Sequence, residues 1–344
     1  MAQRPLDKDI SVVIQGALSA HTPEVLRSVR RFLPASELIL STWKGADVDG
    51  LDADVVILND DPGGCICTRS GIVQNLNRQL VSTREGIRRA TRKFVLKLRS
   101  DTRLTGSGFL DFWTRFPQRE KAFSLFSRRL LVCSFYTRPP FWKKQAYLYH
   151  PSDWTSFGLK EDMLLLWDVP PVKEPDFSQY FCKEYPNGTW TRFFPEQYFL
   201  IACMAKLGVP AGIQSQRDYS EELALRSQHI LLNNFVILDY GKQFTISCAK
   251  YPSIYSNSKV QSYRNFLLFY KKYCDCFYPV SRKVVWRELL GIEDALDNIK
   301  FHVFRIRRHK NRIFEVLGQS LGILYYIAVV LFRTVIFLYR IIFF

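Results

Sequence analysis

Along the first third of the chain, short unbroken apolar runs alternate with segments in which apolar residues recur at helical spacing. Ile10 to Gln15 (ISVVIQ), Leu38 to Thr42 (LILST), Val55 to Leu58 (VVIL) and Phe94 to Leu98 (FVLKL) have the continuous apolar, β-branched or aromatic content of strands buried on both faces. After the first run, Thr22-Pro23-Glu24 supplies an N-cap, a first-turn proline and an acid suited to the helix dipole, which predicts a helix to about Phe32. Leu80, Ile87 and Ala90 form one stripe behind the polar entry at Asn75 and Asn77, with Arg84, Glu85, Arg88 and Arg89 mostly off it. The order strand, helix, strand, strand, helix, strand predicts an α/β protein with a mostly parallel sheet covered by helices on both faces.

Ligands of such sheets bind just beyond the carboxyl ends of the strands, so the residues there are the first candidates for chemistry. The first run ends at Gln15 and Gly16, and the third leads into Asn59, Asp60, Asp61, Pro62, Gly63 and Gly64. Asp61 to Gln74 is long for a connection in such a unit, which suggests a functional loop. The fourth run stops at Arg99-Ser100-Asp101. Asp101 either begins a plain turn or meets a ligand there, directly or through a hard cation such as Mg2+ or Mn2+ held by oxygen.

Beyond Asp101 the pattern loosens. Gly108 to Phe116 reads as a short helix and LLVCSFY, ending at Tyr136, as a strand. Residues 137–195 are rich in Pro, Trp, Tyr and Phe. Such aromatic faces suit the C–H patches of sugar rings, or simply pack irregular loops. Within this region Asp153-Trp154-Thr155-Ser156-Phe157-Gly158 leads to a helix whose stripe is Met163, Leu164 and Trp167, behind Glu161 and Asp162. Pro195-Glu196-Gln197 opens another helix that Gly208 should stop. Glu196 lies in the first turn there, where an acid compensates the helix dipole. Asn233 to Asp239 reads as a last strand, Arg282 to Ile299 as a charged helix, and no internal repeat is present.

Composition adds a compartment and a partner. The chain has 344 residues and 47% hydrophobic content, ample for a large core, with a net charge of +16. Lys and Arg are spread along it rather than gathered on one aromatic-rich module, which argues against nucleic acid and for anionic ligands and a membrane surface. The eight cysteines show only C-x-C pairs, without zinc or disulfide spacing, and read as core thiols. The amino terminus lacks the continuous apolar core of a signal peptide, so the expected site of action is the cytoplasm. Residues 313–344 are the most apolar stretch, preceded by Lys300, Arg305, Arg307, Arg308, Lys310 and Arg312. Arg312, Gln319, Tyr326, Arg333 and Arg340 recur every seven residues, so they lie on one slowly drifting helical stripe. That pattern predicts a C-terminal amphipathic helix lying in the cytoplasmic membrane face, peripheral or monotopic, with a spanning helix or one buried in the globule as the other readings.

Three passages carry a resemblance to a known family. VVIQGALSAHTPEVLRSVRRFLP with LILSTWKG, then VVILNDDPGG with NLNRQLVSTREGIRRATRKFVLKLRSDTRLTG, and later DWTSFGLKEDM with PEQYF, resemble the WavE-type lipopolysaccharide-synthesis family, whose members look like GT-A glycosyltransferases. The resemblance implies transfer of a sugar from a nucleotide-sugar donor to a lipid-linked or oligosaccharide acceptor. It implies that Gln15, Gly16, Asp60, Asp61, Asn77, Arg78 and Arg99 bind the donor, that Asp101 takes the metal position, and that Asp153, Trp154 and Gly158 lie on the acceptor side. Glu196, with Asp162 as second candidate, matches the catalytic base of inverting members. The usual D-x-D motif is here Arg99-Ser100-Asp101, so Mg2+ or Mn2+ is one reading and direct neutralisation of phosphate by Arg99 the other. The expected organisation is a GT-A-like domain over 1–260, a basic, aromatic helical extension over 261–312 and the membrane helix over 313–344. A phosphotransferase on a similar sheet, or a glycan-binding protein without catalysis, are the competing readings.

Overall fold

A computed structural model describes residues 3–66, 71, 73–142, 145–181, 183–184, 191–250 and 261–274. The chain divides into two compact units, one of Met1–Ile254 with Ser258–Val285 and one of Tyr255–Asn257 with Trp286–Phe344. The second unit lies outside the described residues, and with it the amphipathic tail predicted from the sequence.

The first unit is built on a seven-stranded sheet. In chain order the strands and helices begin with β1 (Ile10–Gln15), α1 (Thr22–Phe32), β2 (Glu37–Trp43) and β3 (Val55–Asn59). The short pair β4 (Cys65–Ile66) and β5 (Val73–Gln74) precedes α2 (Leu76–Arg89), β6 (Phe94–Arg99) and β7 (Thr102–Leu104). Next come β8 (Leu130–Cys133), the small hairpin of β9 (Phe141–Trp142) and β10 (Gln145–Ala146), β11 (Ser156–Leu159), α3 (Lys160–Trp167) and α4 (Pro195–Lys206). Last are α5 (Glu221–Asn234), β12 (Phe235–Leu238), β13 (Ile246–Cys248) and α6 (Tyr263–Cys274). The large sheet runs β12-β8-β11-β6-β1-β2-β3, with β11 antiparallel to both its neighbours and every other pairing parallel.

The four apolar runs read from the sequence are β1, β2, β3 and β6; in β1 every residue is buried, whereas β3 is not buried on both faces as expected, because it is the sheet edge and leaves Val56 and Leu58 exposed. Gly86 lets α2 settle onto the sheet, since a Cβ there would stand 2.3 Å from Val13 Cγ1. Gly208, in the left-handed region at φ +71, ends α4 as expected. On the opposite face Phe109 stacks on Phe244 and meets Phe157 edge-on, while Phe112 and Phe116 receive Tyr263 and Phe266 of α6. The predicted helix after Gly108 is a 3-10 turn, Gly108–Phe112. The reversed strand β11 of the large sheet and the helix α5 have no counterpart in the sequence reading, nor do the short strands β4, β5, β7, β9, β10 and β13. Cys65, Cys133, Cys203 and Cys248 are buried free thiols, as expected of core cysteines. Among the described residues no helix is long and apolar enough to cross a membrane.

Because β2 and β6 flank β1 on opposite sides, the strand order reverses between β1 and β6. Their carboxyl ends therefore open the crevice in which ligands of such sheets bind.

Candidate functional site

The two strand ends are locked together at this switch point. The Ser100 amide donates to the Gln15 carbonyl at 3.0 Å, the Gly16 amide to the Ser41 carbonyl at 3.1 Å, and Thr22 Oγ1 to the Ser100 carbonyl at 3.1 Å. Gly16 has φ +110, a conformation that side chains rarely adopt, so the chain turns here away from the sheet only because no Cβ is present. Gln15 and Arg99 are register partners on the face covered by α2, where Ser82 Oγ donates to Gln15 Oε1 at 2.8 Å. Arg99 is fixed in two ways. Its Nε and Nη2 each donate to an oxygen of Asp101 at 2.9 Å, and its guanidinium lies 4.2 Å from the centre of the Trp154 ring. Burial alone would raise the Asp101 carboxyl, but the paired guanidinium and the Thr102 hydroxyl outweigh it and hold Asp101 below the ordinary carboxylate range.

Behind this pair the loop before β11 is clamped by two elements. Gln79 of α2 donates to the Asp153 carbonyl at 2.9 Å, and the fully buried Lys97 of β6 donates to the carbonyls of both Asp153 and Trp154. Lys97 also stands 4.7 Å above the Trp167 ring of α3. Burial brings the Lys97 ammonium down to about 7, against the pull of Asp153. The folded protein then holds a neutral lysine where the unfolded chain still holds a charged one. Between about pH 7 and the ordinary value of 10.5, unfolding takes up this proton, and the group adds stability as pH rises. Its contribution is at most about 1.4 kcal/mol per pH unit. Lys97→Met should remove that slope, seen as the difference between variant and wild type in urea unfolding at pH 7 and 9.

Asp153 faces a second acid. Glu196, in the first turn of α4, is buried with its Oε2 3.7 Å from His150 Nε2. Burial first, and then the facing Asp153, push Glu196 well above the ordinary carboxylate value, with Arg138 opposing. Burial also brings the His150 imidazole down to about 3, so it is neutral near pH 7. The start of α4 is held by Gln197, whose amide donates to the Leu148 carbonyl at 2.8 Å and accepts from the Phe194 amide at 3.1 Å. Asp153 thus links a flat, stacked cation and the carboxylate paired with it to a buried carboxyl of high proton affinity.

The remaining predicted residues divide. Asp61 accepts both Nε and Nη2 of Arg78, at 2.7 and 2.8 Å, and Asp60 pairs with Lys44 at 2.8 Å, both on the loop after β3. Asn77 brackets Val172, accepting from its amide at 2.9 Å and donating to its carbonyl at 3.1 Å, so it braces the segment after α3. Gly158 lies within the sheet, where a Cβ would stand 2.2 Å from Leu130 Cδ2, and its absent side chain serves packing. Asp162 is delivered to the opposite end of the sheet from Arg99, because β11 runs backwards and α3 starts at the amino end of β6. There it is buried and accepts from the amides of Ser127 and Arg128 at 2.7 and 2.9 Å and from the Ser127 hydroxyl at 2.7 Å. Its bonds tie a turn, and it is remote from the crevice. The sequence reading missed Lys97, Gln79 and His150. Lys97 had a signal, since it is the one charge inside the apolar run FVLKL, whereas His150 had none before the chain was folded.

The described donors do not fit a resident divalent cation. Both Asp101 oxygens are taken by Arg99, and among the described residues no group of three or more His, Cys, Asp and Glu is placed to hold a metal.

A mostly parallel sheet with helices on both faces and a charged crevice at its switch point defines a ligand-binding α/β protein. A family model described as WavE lipopolysaccharide synthesis matches residues 10–292, and the chain belongs to that family, which places it in lipopolysaccharide biosynthesis. No curated protein matches the chain. Among solved structures, HddC from Yersinia pseudotuberculosis aligns with a TM-score of 0.28 at 10% identity, over 47% of this chain and 80% of its own.

Proposed function

We propose that the protein is a GT-A-like glycosyltransferase that moves a sugar from a nucleotide-sugar to a lipopolysaccharide, capsule or other surface-glycan precursor. The observation that carries this reading is that Asp153 acts on both the Arg99 guanidinium, paired with Asp101 and stacked on Trp154, and the buried carboxyl of Glu196. Glycosyl transfer needs those two elements. An acceptor hydroxyl attacks the anomeric carbon, its proton passes to a carboxylate, and the bond from that carbon to the diphosphate oxygen breaks with its electron pair left on the diphosphate. We assign the base to Glu196 and the charge on the departing diphosphate to Arg99, whose planar fork matches phosphate oxygens. Asp153 and Trp154 then border the acceptor, and Gln15 and Gly16 border the donor. Binding of a panel of nucleoside diphosphates by calorimetry, followed by transfer from the matching nucleotide-sugars, tests the reading. A chain that binds none of them would sink it.

The carboxyl-terminal part is read in the same way from its sequence. With α6 packed on the aromatic cluster around Phe116, we place the end of the catalytic domain after α6 and the membrane contact in 313–344. Each Lys or Arg near an anionic leaflet contributes about 1 kcal/mol. Removing 313–344 should release a folded protein that still binds the diphosphate but loses most transfer to a lipid-linked acceptor. Loss of nucleotide binding together with solubility would place the tail in the core instead.

A further inference from the structure

His150 takes no part in the reaction outlined above, yet it is a buried polar group directly beside Glu196. Its side chain is 2% exposed, with the Tyr147 and Phe194 rings at 5.5 and 5.3 Å. Nε2 lies 3.7 Å from Glu196 Oε2, and Nδ1 is buried with no hydrogen-bond partner. A neutral imidazole carries one N–H and one lone pair, and an orphaned N–H is the rarer and costlier of the two in a protein interior. A hydrogen on Nε2 faces the carboxyl and leaves the lone pair on Nδ1, while the backbone carbonyls of Tyr136 and His150 also draw a ring hydrogen.

The backbone is bent to hold it there. Tyr149, just before it, sits at φ +54, in the left-handed region that a bulky residue avoids. That conformation is secured from several sides. The Tyr149 amide donates to Ser227 Oγ at 2.7 Å, its hydroxyl to the Ala211 carbonyl at 2.9 Å, and the Arg138 amide to the His150 carbonyl at 3.1 Å. A bulky residue held in this region by its surroundings fixes His150 beside Glu196.

We propose that His150 is a positioning residue for Glu196, whose Nε2–H closes on the carboxylate once that group is ionised and fixes the oxygen that receives the acceptor's proton. The proposal rests on the reading of Glu196 as the base. The charged groups that face Glu196 are Asp153 from the loop before β11 and Arg138 from the loop after β8, with Lys97 of β6 behind Asp153. Asp153 disfavours the ionised carboxylate and Arg138 favours it. His150 then supplies the hydrogen bond that orients it.

Two measurements test this. The full chain has five histidines, so in 15N-histidine-labelled protein the His150 signals are those lost in His150→Gln. Long-range proton–nitrogen spectra should show the Nε2–H tautomer at pH 7, still neutral at pH 5; an Nδ1–H tautomer or an imidazolium at pH 7 overturns the proposal. In turnover, His150→Phe should lose about 10-fold at pH 7 and shift the acidic limb of its pH profile upward, while uridine or guanosine diphosphate binding is kept. His150→Gln, which retains an N–H, should recover part of the loss. If His150→Phe fails to fold, the wild-type spectrum and His150→Gln decide. Should Glu196→Gln retain turnover, the base assignment itself falls. Should Glu196→Gln lose turnover while His150→Phe keeps the wild-type pH profile, only the role of His150 falls.

Discussion

Glu196→Gln should lower sugar transfer by roughly 100-fold or more while leaving nucleoside diphosphate affinity nearly unchanged, because a general base contributes to the reacting state and not to donor binding. The substitution keeps the shape of a buried side chain at the start of α4 and removes only its ability to accept a proton. Wild-type turnover should rise with pH through the elevated value of Glu196, since burial and Asp153 keep it protonated below that point and only the carboxylate can take the hydroxyl proton. The variant should lose that limb. An elevated base suits this chemistry, because a higher proton affinity gives the carboxylate a stronger drive to take the hydroxyl proton. Near-normal turnover in Glu196→Gln would return the base to another residue, and Asp162 is badly placed to be that residue.

Asp162 shows where sequence reasoning stops. It and Glu196 look alike in one dimension, each an acid in the first turn of a helix behind an aromatic stretch. What separates them is the direction of the preceding strand. β11 is only the four residues Ser156–Leu159, too short for its period to be read, and it is the strand that runs backwards. It carries Asp162 to the amino end of β6, whereas Asp153, before the same strand, arrives at the carboxyl end beside Arg99. By contrast, β1, β2 and β6 were legible because burial on both faces writes a continuous apolar run, and β3, although at the sheet edge with Val56 and Leu58 exposed, carries such a run as well. Their order along the chain already placed Gly16 and Asp101 at strand ends. The helix α5 went unread although Ser220 caps it, its side chain accepting from the Leu223 amide at 3.1 Å. The contacts of Lys97 and His150 join residues distant in sequence, and no local pattern announces such a meeting.

Arg99→Gln should weaken nucleoside diphosphate binding by roughly 30- to 1,000-fold, the equivalent of about 2 to 4 kcal/mol for two charge-assisted hydrogen bonds lost from a partly desolvated site. The loss should be similar with and without Mn2+. Asp101→Asn should cost less, because its carboxylate does not face the phosphate alone but orients the guanidinium on Trp154 through two bonds of 2.9 Å, and an amide oxygen can still accept one of them. The same pair offers the opposite outcome. If diphosphate binding proves strongly dependent on Mn2+, is abolished by Asp101→Asn and survives Arg99→Gln, then Asp101 must leave Arg99 to ligate a cation brought in with the donor. In that case the ion pair is a resting arrangement that the substrate breaks. The geometry favours the first outcome, since a guanidinium held flat by a carboxylate on one edge and an indole on its face is already oriented as a bidentate phosphate ligand requires, whereas freeing Asp101 means separating a half-buried ion pair first.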